Sequence, residues 1–189
     1  MRGAASSIKK EAKELENQFH IENIYKKIRK IYEYDGAEYI IRVPEGAKAI
    51  LEESRFLDHC IQRGTRYFER IAKRESYIFF MRRKVDPNTP WYTLEVEPGG
   101  TVRQKRSYNN DQYADLEDAK PFIAEWQQVV QGRMTAAEIE FARQSKEIRA
   151  QELAELKENG NIIRTGTNAG KLLVDELMHD LMEVEKRVG

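Results

Sequence analysis

The order of apolar and polar positions divides the chain into a helical start, a mixed centre and a helical end. Ile8, Ala12, Leu15 and Phe19, then Ile24, Ile28 and Ile31, recur three or four residues apart with Lys and Glu between them. That spacing is one face of a helix, predicted over residues 4–34 with a break allowed near His20 to Glu22. Asp35-Gly36 is a turn signal that stops it. Glu38 to Val43, rich in β-branched and aromatic residues and closed by Pro44, predicts a strand. Pro44 also suits a first helical turn, and Ala47, Ile50, Leu51, Phe56 and Leu57 supply the next helix with an apolar face. Residues 66–74 predict a short basic helix, with Tyr67 and Ile71 inward and Arg66, Arg70, Lys73 and Arg74 outward.

The centre changes period. Tyr77-Ile78-Phe79-Phe80-Met81 is a continuous apolar run, short enough for a strand buried on both faces. After the Asp86–Pro90 loop, Trp91 to Glu97 alternates. Trp91, Thr93, Glu95 and Glu97 fall on one face, and Tyr92, Leu94 and Val96 on the other. Pro98-Gly99-Gly100 is a hairpin turn, and Thr101 to Ser107 returns. Three successive antiparallel strands, with Glu38–Val43 as a fourth, predict a small sheet. Helices follow over Asp115–Val130, with Pro121 in the first turns, over Thr135–Lys157, where Thr135 and Glu138 fit a capping box, and over Ala169–Val188. In the second of these, Ile139, Ala142, Ile148, Leu153 and Leu156 form the apolar stripe. The expected fold is α+β, a small antiparallel sheet of three to four strands flanked by helices, with long helical segments at both ends. The expected divisions are a helical segment 1–35, an α+β core 36–132 and a helical region 133–189. The last two helices can pair as a hairpin or form a seam, so residues 134–189 are a candidate surface for a homo-oligomer or for partner helices.

Composition narrows the class. The 189 residues suit about one domain. Charged residues are 34% of the chain and mean hydropathy is −0.74, as in long solvated helices. Aromatic residues at 10% argue against general disorder. A single cysteine, Cys60, excludes an intrachain disulfide. No apolar run reaches the ~18 residues that span a bilayer, and the first residues lack a signal peptide's apolar stretch. A cytoplasmic protein with no membrane partner is the expectation.

The net charge is zero but unevenly placed. Residues 61–110 carry 11 basic and 5 acidic side chains, and residues 111–189 carry 10 basic and 16 acidic. Either the basic segment meets a polyanion, or the acidic helices fold back over it. Its arginines and lysines, Arg66, Arg70, Arg82 and Arg106 among them, alternate with Tyr67, Phe68, Tyr77, Trp91 and Tyr92. Cations neutralise phosphates and aromatic rings stack on unpaired bases, which makes nucleic acid a candidate partner.

Three residues carry candidate catalytic chemistry. His59 titrates near neutrality and can serve as a general base. Cys60 is a candidate nucleophile needing a separate base, because neighbours on a helix point about 100° apart and so His59 cannot serve it. Glu95 sits mid-strand, where glutamate is a poor strand former. If covered, its carboxylate needs a partner, and Arg82 and Gln104 on the adjoining strands are the candidates. With only His20, His59 and His179, and no paired ligand spacing, no metal or other cofactor is expected. Gly166 to Lys171 lacks the length and the Ser/Thr of a phosphate loop.

The run Leu57-Asp58-His59-Cys60-Ile61, then Tyr67, Tyr77 to Arg83, Pro90 to Val96, Gln104-Lys105-Arg106 and Asn109 resembles the PcfJ-like proteins. That family has a His-Cys-Val element followed by Tyr, an apolar strand ending in Leu-Arg, a Thr-Leu-Glu-Val strand, and a Gln and an Asn after a hairpin. Here Ile61, Met81 and Ser107 stand where Val, Leu and Gly are usual. The resemblance covers about half the chain, roughly Tyr39 to Val130. It implies a setting in conjugative plasmids, integrative elements and phages rather than a particular reaction. Two expectations follow. One is a mobile-element accessory protein that binds nucleic acid or a nucleoprotein partner through Arg66, Tyr67, Arg70, Arg82, Gln104, Arg106 and Asn109. The other is an enzyme acting on a nucleotide or nucleic acid in a pocket formed by His59, Arg82, Glu95 and Gln104. A third reading is a helical interaction module.

Overall fold

A computed structural model describes residues 2–59, 61 and 66–186. Cys60, and Arg63 of the basic segment, lie outside the described residues. The fold is α+β. Helix α1 (Arg2–Tyr32) is followed by a two-residue strand β1 (Tyr34–Asp35), β2 (Tyr39–Arg42), α2 (Ala47–Leu57) and α3 (Arg66–Ala72). Strands β3 (Tyr77–Arg83), β4 (Tyr92–Val96) and β5 (Val102–Arg106) come next, then α4 (Leu116–Arg133), α5 (Ala136–Asn159) and α6 (Leu173–Asp180). The sheet has five antiparallel strands in chain order, one more than the three to four expected. The extra strand is Tyr34–Asp35, which pairs with Ile41 and Ile40 beyond the end of α1.

Both faces of the sheet are covered. Tyr77, Phe79, Leu94 and Val96 face α1 and α4. There the rings of Tyr32 and Phe79 lie 4.9 Å apart and Trp126 meets Phe79 edge-on at 6.2 Å. The Trp126 indole N–H donates to the Tyr32 carbonyl at 2.7 Å, so the largest core side chain buries no unpaired donor. Strand β2 stops at Arg42, opposite Phe80. Tyr25 completes the pairing beyond it, its hydroxyl accepting from Ile78 N–H and donating to Ile78 C=O, both at 3.1 Å. The β4–β5 turn places Gly99 and Gly100 at φ 98° and 101°, a conformation that L side chains rarely adopt. The Gly99 N–H donates to the Tyr32 hydroxyl at 3.0 Å, which docks the hairpin on α1.

The helices at the ends depart from their predicted faces. Helix α1 is continuous through His20, but Ile8, Leu15 and Phe19 are exposed while Ile21, Ile24, Tyr25, Ile28, Ile31 and Tyr32 enter the core. Helix α5 turns Glu138 and Ser145 inward and leaves Ile139 exposed. The Thr135 side chain accepts from Glu138 N–H at 3.2 Å, as a cap does. The Glu138 carboxylate, however, accepts from the Tyr32 hydroxyl at 2.6 Å, the Tyr77 hydroxyl at 3.0 Å and Arg74 at 2.7 Å instead of closing a capping box. The predicted helix to Val188 ends at Asp180. The chain then runs extended, and Met182 exchanges N–H···O bonds of 2.8 and 2.9 Å with Val102 on the open edge of β5. Pairing that edge satisfies backbone groups that further helix would leave bare.

Candidate functional site

Most of the basic segment is neutralised within the molecule. Arg74 is paired with Glu138, Arg82 with Glu53, and Lys105 and Arg106 with Asp180. Tyr77, Trp91 and Tyr92 are buried in the core. Of the two expectations for the charge asymmetry, the acidic helices do fold back: Glu138 and Glu152 of α5 and Asp180 of α6 all meet basic partners from residues 66–106. Burial pushes the Lys105 ammonium below its ordinary range, with Asp180 acting against that shift. Arg66, Lys73, Arg83 and Lys84 remain exposed.

The register of the sheet brings the remaining candidates together. Ile78, Glu95 and Gln104 are successive cross-strand partners, and Thr93 pairs with Arg106, so Thr93, Glu95, Gln104 and Arg106 share the face beneath α3. Glu95 is 3% exposed. Its partner is Arg70, at 3.0 and 3.3 Å to the two carboxylate oxygens, with the Ser76 hydroxyl at 3.3 Å. Arg82 does not take part. It points to Glu53, bonding its Oε2 at 2.6 Å, with the guanidinium 5.0 Å from the Phe80 ring centre. The expected Arg82–Glu95–Gln104 cluster is therefore an Arg70–Glu95–Gln104 cluster. The register sets Ile78 opposite Glu95 and leaves Arg82 four residues further along β3, beside Ile40, whereas Arg70 on the helix one layer above reaches the carboxylate directly.

His59 follows α2, where Asp58 takes a left-handed φ of 49° and its N–H closes the helix on Arg55 and Ser54 carbonyls. The ring lies between Ser54 Oγ, 3.0 Å from Nδ1, and Thr93 Oγ1, 2.9 Å from Nε2. Ser54 Oγ donates to the His59 carbonyl at 3.1 Å. With the Ser54 proton so used, the contacts fit a ring that donates from Nδ1 and accepts at Nε2. These contacts orient the imidazole, and burial lowers its pKa from the ordinary value. A hollow of about 10 Å³, the size of one water molecule, is bordered by His59, Thr93, Glu95, Gln104, Arg106 and Asn110. Asn109, the predicted binding residue, sits at φ 56° in a short 3-10 turn, and its neighbour Asn110 borders the hollow instead.

The pH response of His59 has a definite sign. In the unfolded chain the imidazole binds its proton near pH 6.5, and in the fold it does so at lower pH. Its contribution is therefore whole above about pH 6.5 and is lost as pH falls through the folded-state value. Urea midpoints at pH 7.5 and pH 5 are expected to show this loss, and His59→Gln is expected to lessen the difference.

Tyr67, Glu95 and Gln104 also border a larger cleft of about 350 Å³, closed above by α5 and α6. Glu95, Arg70, Glu152, Arg103 and Arg149 line one part of it, in a run of alternating charges that Glu97, outside the lining, joins. Glu95 is bound to Arg70, and Arg70 lies 3.6 Å from Glu152. Glu152 lies 3.9 Å from Arg103, Arg103 bonds Glu97 at 2.7 Å, and Glu97 bonds Arg149 at 2.7 Å. The rest of the lining is mostly apolar, with Leu153, Leu156, Leu173, Leu177 and Leu181 alongside Glu155 and Asn159. Arg66 lines the cleft, exposed and without an ion-pair partner among the described residues. Glu97, Arg103, Arg149 and Glu152 were not singled out in the sequence. Their signals were the i, i+2 spacing of Glu95 and Glu97 on a buried strand, and the i, i+3 spacing of Arg149 and Glu152 on α5. Every buried side-chain polar atom among the described residues has a partner. No described helix is long and apolar enough to cross a membrane.

The class this defines is an α+β protein with a five-stranded antiparallel meander and a charged cleft between sheet and C-terminal helices. A family model described as PcfJ-like protein matches residues 6–120. The chain belongs to the PcfJ-like family. The match takes in most of α1 as well as the sheet, α2 and α3. No curated protein and no solved structure matches the chain.

Proposed function

We propose that this PcfJ-like protein is a mobile-element accessory protein that grips a nucleotide, or the terminal nucleotide of a nucleic-acid strand, in the cleft between β5, α3, α5 and α6. What carries the reading is a cleft lined both by arginines and by leucines, with the exposed Arg66 among its lining residues. Arginine forks fit phosphate oxygens, while Tyr67 and the leucines offer a base its apolar faces. Glu152 holds the loosest contacts of the run of charges, 3.6 and 3.9 Å to Arg70 and Arg103. A phosphate that displaces Glu152 keeps both arginines paired, so Glu152 occupies the anion's place. The pairing of six basic residues inside the fold argues against nucleic acid spread over an outer basic surface.

The test is fluorescence anisotropy of labelled nucleotides and short single strands over a salt series. Arg66→Ala is expected to weaken binding by about tenfold, the loss of one charge-assisted contact. Glu152→Gln is expected to tighten it, because it releases two arginines. Tightening by neither Glu152→Gln nor Glu152→Ala, together with binding indifferent to Arg66, would remove the cleft from the account. Catalysis in the same place is the second reading, favoured by His59 and Glu95 bordering one hollow. It predicts that Glu95→Gln, whose urea midpoint falls because the charge opposite Arg70 is lost, abolishes turnover of a bound nucleotide under conditions where the variant is still folded.

A further inference from the structure

Helix α1 carries two apolar stripes that face different ways. Its second half buries Ile21, Ile24, Tyr25, Ile28, Ile31 and Tyr32 in the core. In its first half every described side chain from Gly3 to His20 is exposed, and Ile8, Leu15 and Phe19 are each 66% exposed. At about 100° per residue the stripe Ile8–Ala12–Leu15–Phe19 lies on nearly the opposite side of the helix from the core stripe. It therefore cannot be the core face continued. The exposed part rises about 27 Å from the body at 1.5 Å per residue. An isolated helix of this length is marginal in water unless an apolar face is covered.

The stripe has spacings of 4, 3 and 4 residues, the a/d seam of a coiled coil. We propose that it is covered by the same stripe of a second copy of the chain, running antiparallel. Side-chain size and charge both select that direction. Antiparallel layers place Ile8 against Phe19 and small Ala12 against Leu15, each twice. Parallel layers place Ala12 against Ala12 and leave a gap beside Leu15. Lys9 and Glu16 flank one side of the seam, and Glu11 and Gln18 the other. The antiparallel pair sets Lys9 of each copy beside Glu16 of the other, with Glu11 beside Gln18. The parallel pair sets Glu11 beside Glu16, a like-charge contact on both sides. The antiparallel pair also carries the two bodies to opposite ends of the seam.

Sedimentation equilibrium of the full chain, over a concentration series, reads the assembly. The expected result is a monomer–dimer equilibrium that Leu15→Glu abolishes, with the urea midpoint of the body unchanged. Glu16→Lys sets Lys against Lys9 in the antiparallel pair and is expected to weaken the dimer by about fivefold. Lys9→Glu together with Glu16→Lys is expected to restore it. In a parallel pair Glu16→Lys meets Glu11 and strengthens the dimer, and that outcome overturns the proposal. A monomer at all concentrations, or a dimer indifferent to Leu15→Glu, overturns it as well. The second result would move the interface to another surface such as residues 134–189.

Discussion

Glu138→Ala is expected to cost about 3–5 kcal/mol of folding stability, the range for removing one partner from a buried ion pair. The carboxylate is 2% exposed and receives the Tyr32 hydroxyl, the Tyr77 hydroxyl and Arg74. Removing it strands the two buried phenol donors and takes the counter-charge from Arg74, which is 16% exposed. Its charge and burial raise the phenol pKa values of Tyr32 and Tyr77 well above the ordinary value, with burial the larger cause in both. Both phenols therefore remain donors across the accessible pH range. Glu138→Gln keeps an acceptor but loses the charge opposite Arg74, so it is expected to fall between parent and alanine variant. Urea denaturation measures this. A midpoint for Glu138→Ala equal to the parent's would mean that α5 is not clamped to the sheet through this residue.

The second large effect is expected at Glu53 and Arg82. Both are buried and joined by two N–H···O contacts, with 5% and 9% side-chain exposure. Burial raises the Glu53 pKa, and Arg82 acts against that shift without overcoming it. Glu53→Leu alone leaves a buried guanidinium unpaired and is expected to cost about 3–5 kcal/mol. Arg82→Met with Glu53→Leu replaces both charges by apolar groups of similar size and is expected to recover most of that loss. The double-mutant cycle therefore carries a large coupling energy. A double variant as unstable as the single ones would show that the pair does more than satisfy itself. If cleft binding by the double variant matches the parent's, Arg82 has a structural rather than a ligand-binding role.

The sheet was legible in the sequence because its signals are local. The apolar run at Tyr77–Met81, the alternation from Trp91 and the Pro98-Gly99-Gly100 turn each specify a strand or its end within a few residues. Tyr34–Asp35 was not legible, because a two-residue strand has no period and is decided by the edge of β2. Helix faces were harder. On α5 the sequence offers one aliphatic stripe, of which Ile139 is exposed while Leu153 and Leu156 line the cleft. The sheet and the chain beside it present Arg70, Arg74 and Arg103, so Glu138 and Glu152 turn in, and they present Glu97, which draws in Arg149. On α1 the runs Ile8–Phe19 and Ile24–Ile31 read as one helical face, yet the first is exposed, since only the second half of the helix reaches the body. The candidate site was legible residue by residue at His59, Tyr67, Glu95 and Gln104. Arg70 as the partner of Glu95 was not, because the β3–β4 register that sets Ile78 opposite Glu95 and carries Arg82 away toward Glu53 is not written in either strand alone.

The central claim is that the cleft beneath α5 and α6 receives a phosphate-bearing ligand. It is tested most directly by following backbone amide NMR signals of the whole chain during titration with a mononucleotide. Saturable shifts are expected at Tyr67, Arg70, Gln104, Glu152 and Leu177, with Glu152→Gln lowering the concentration needed to reach them. Shifts confined to Arg83, Lys84 and other outer cations, with the cleft signals unmoved at saturation, would contradict it.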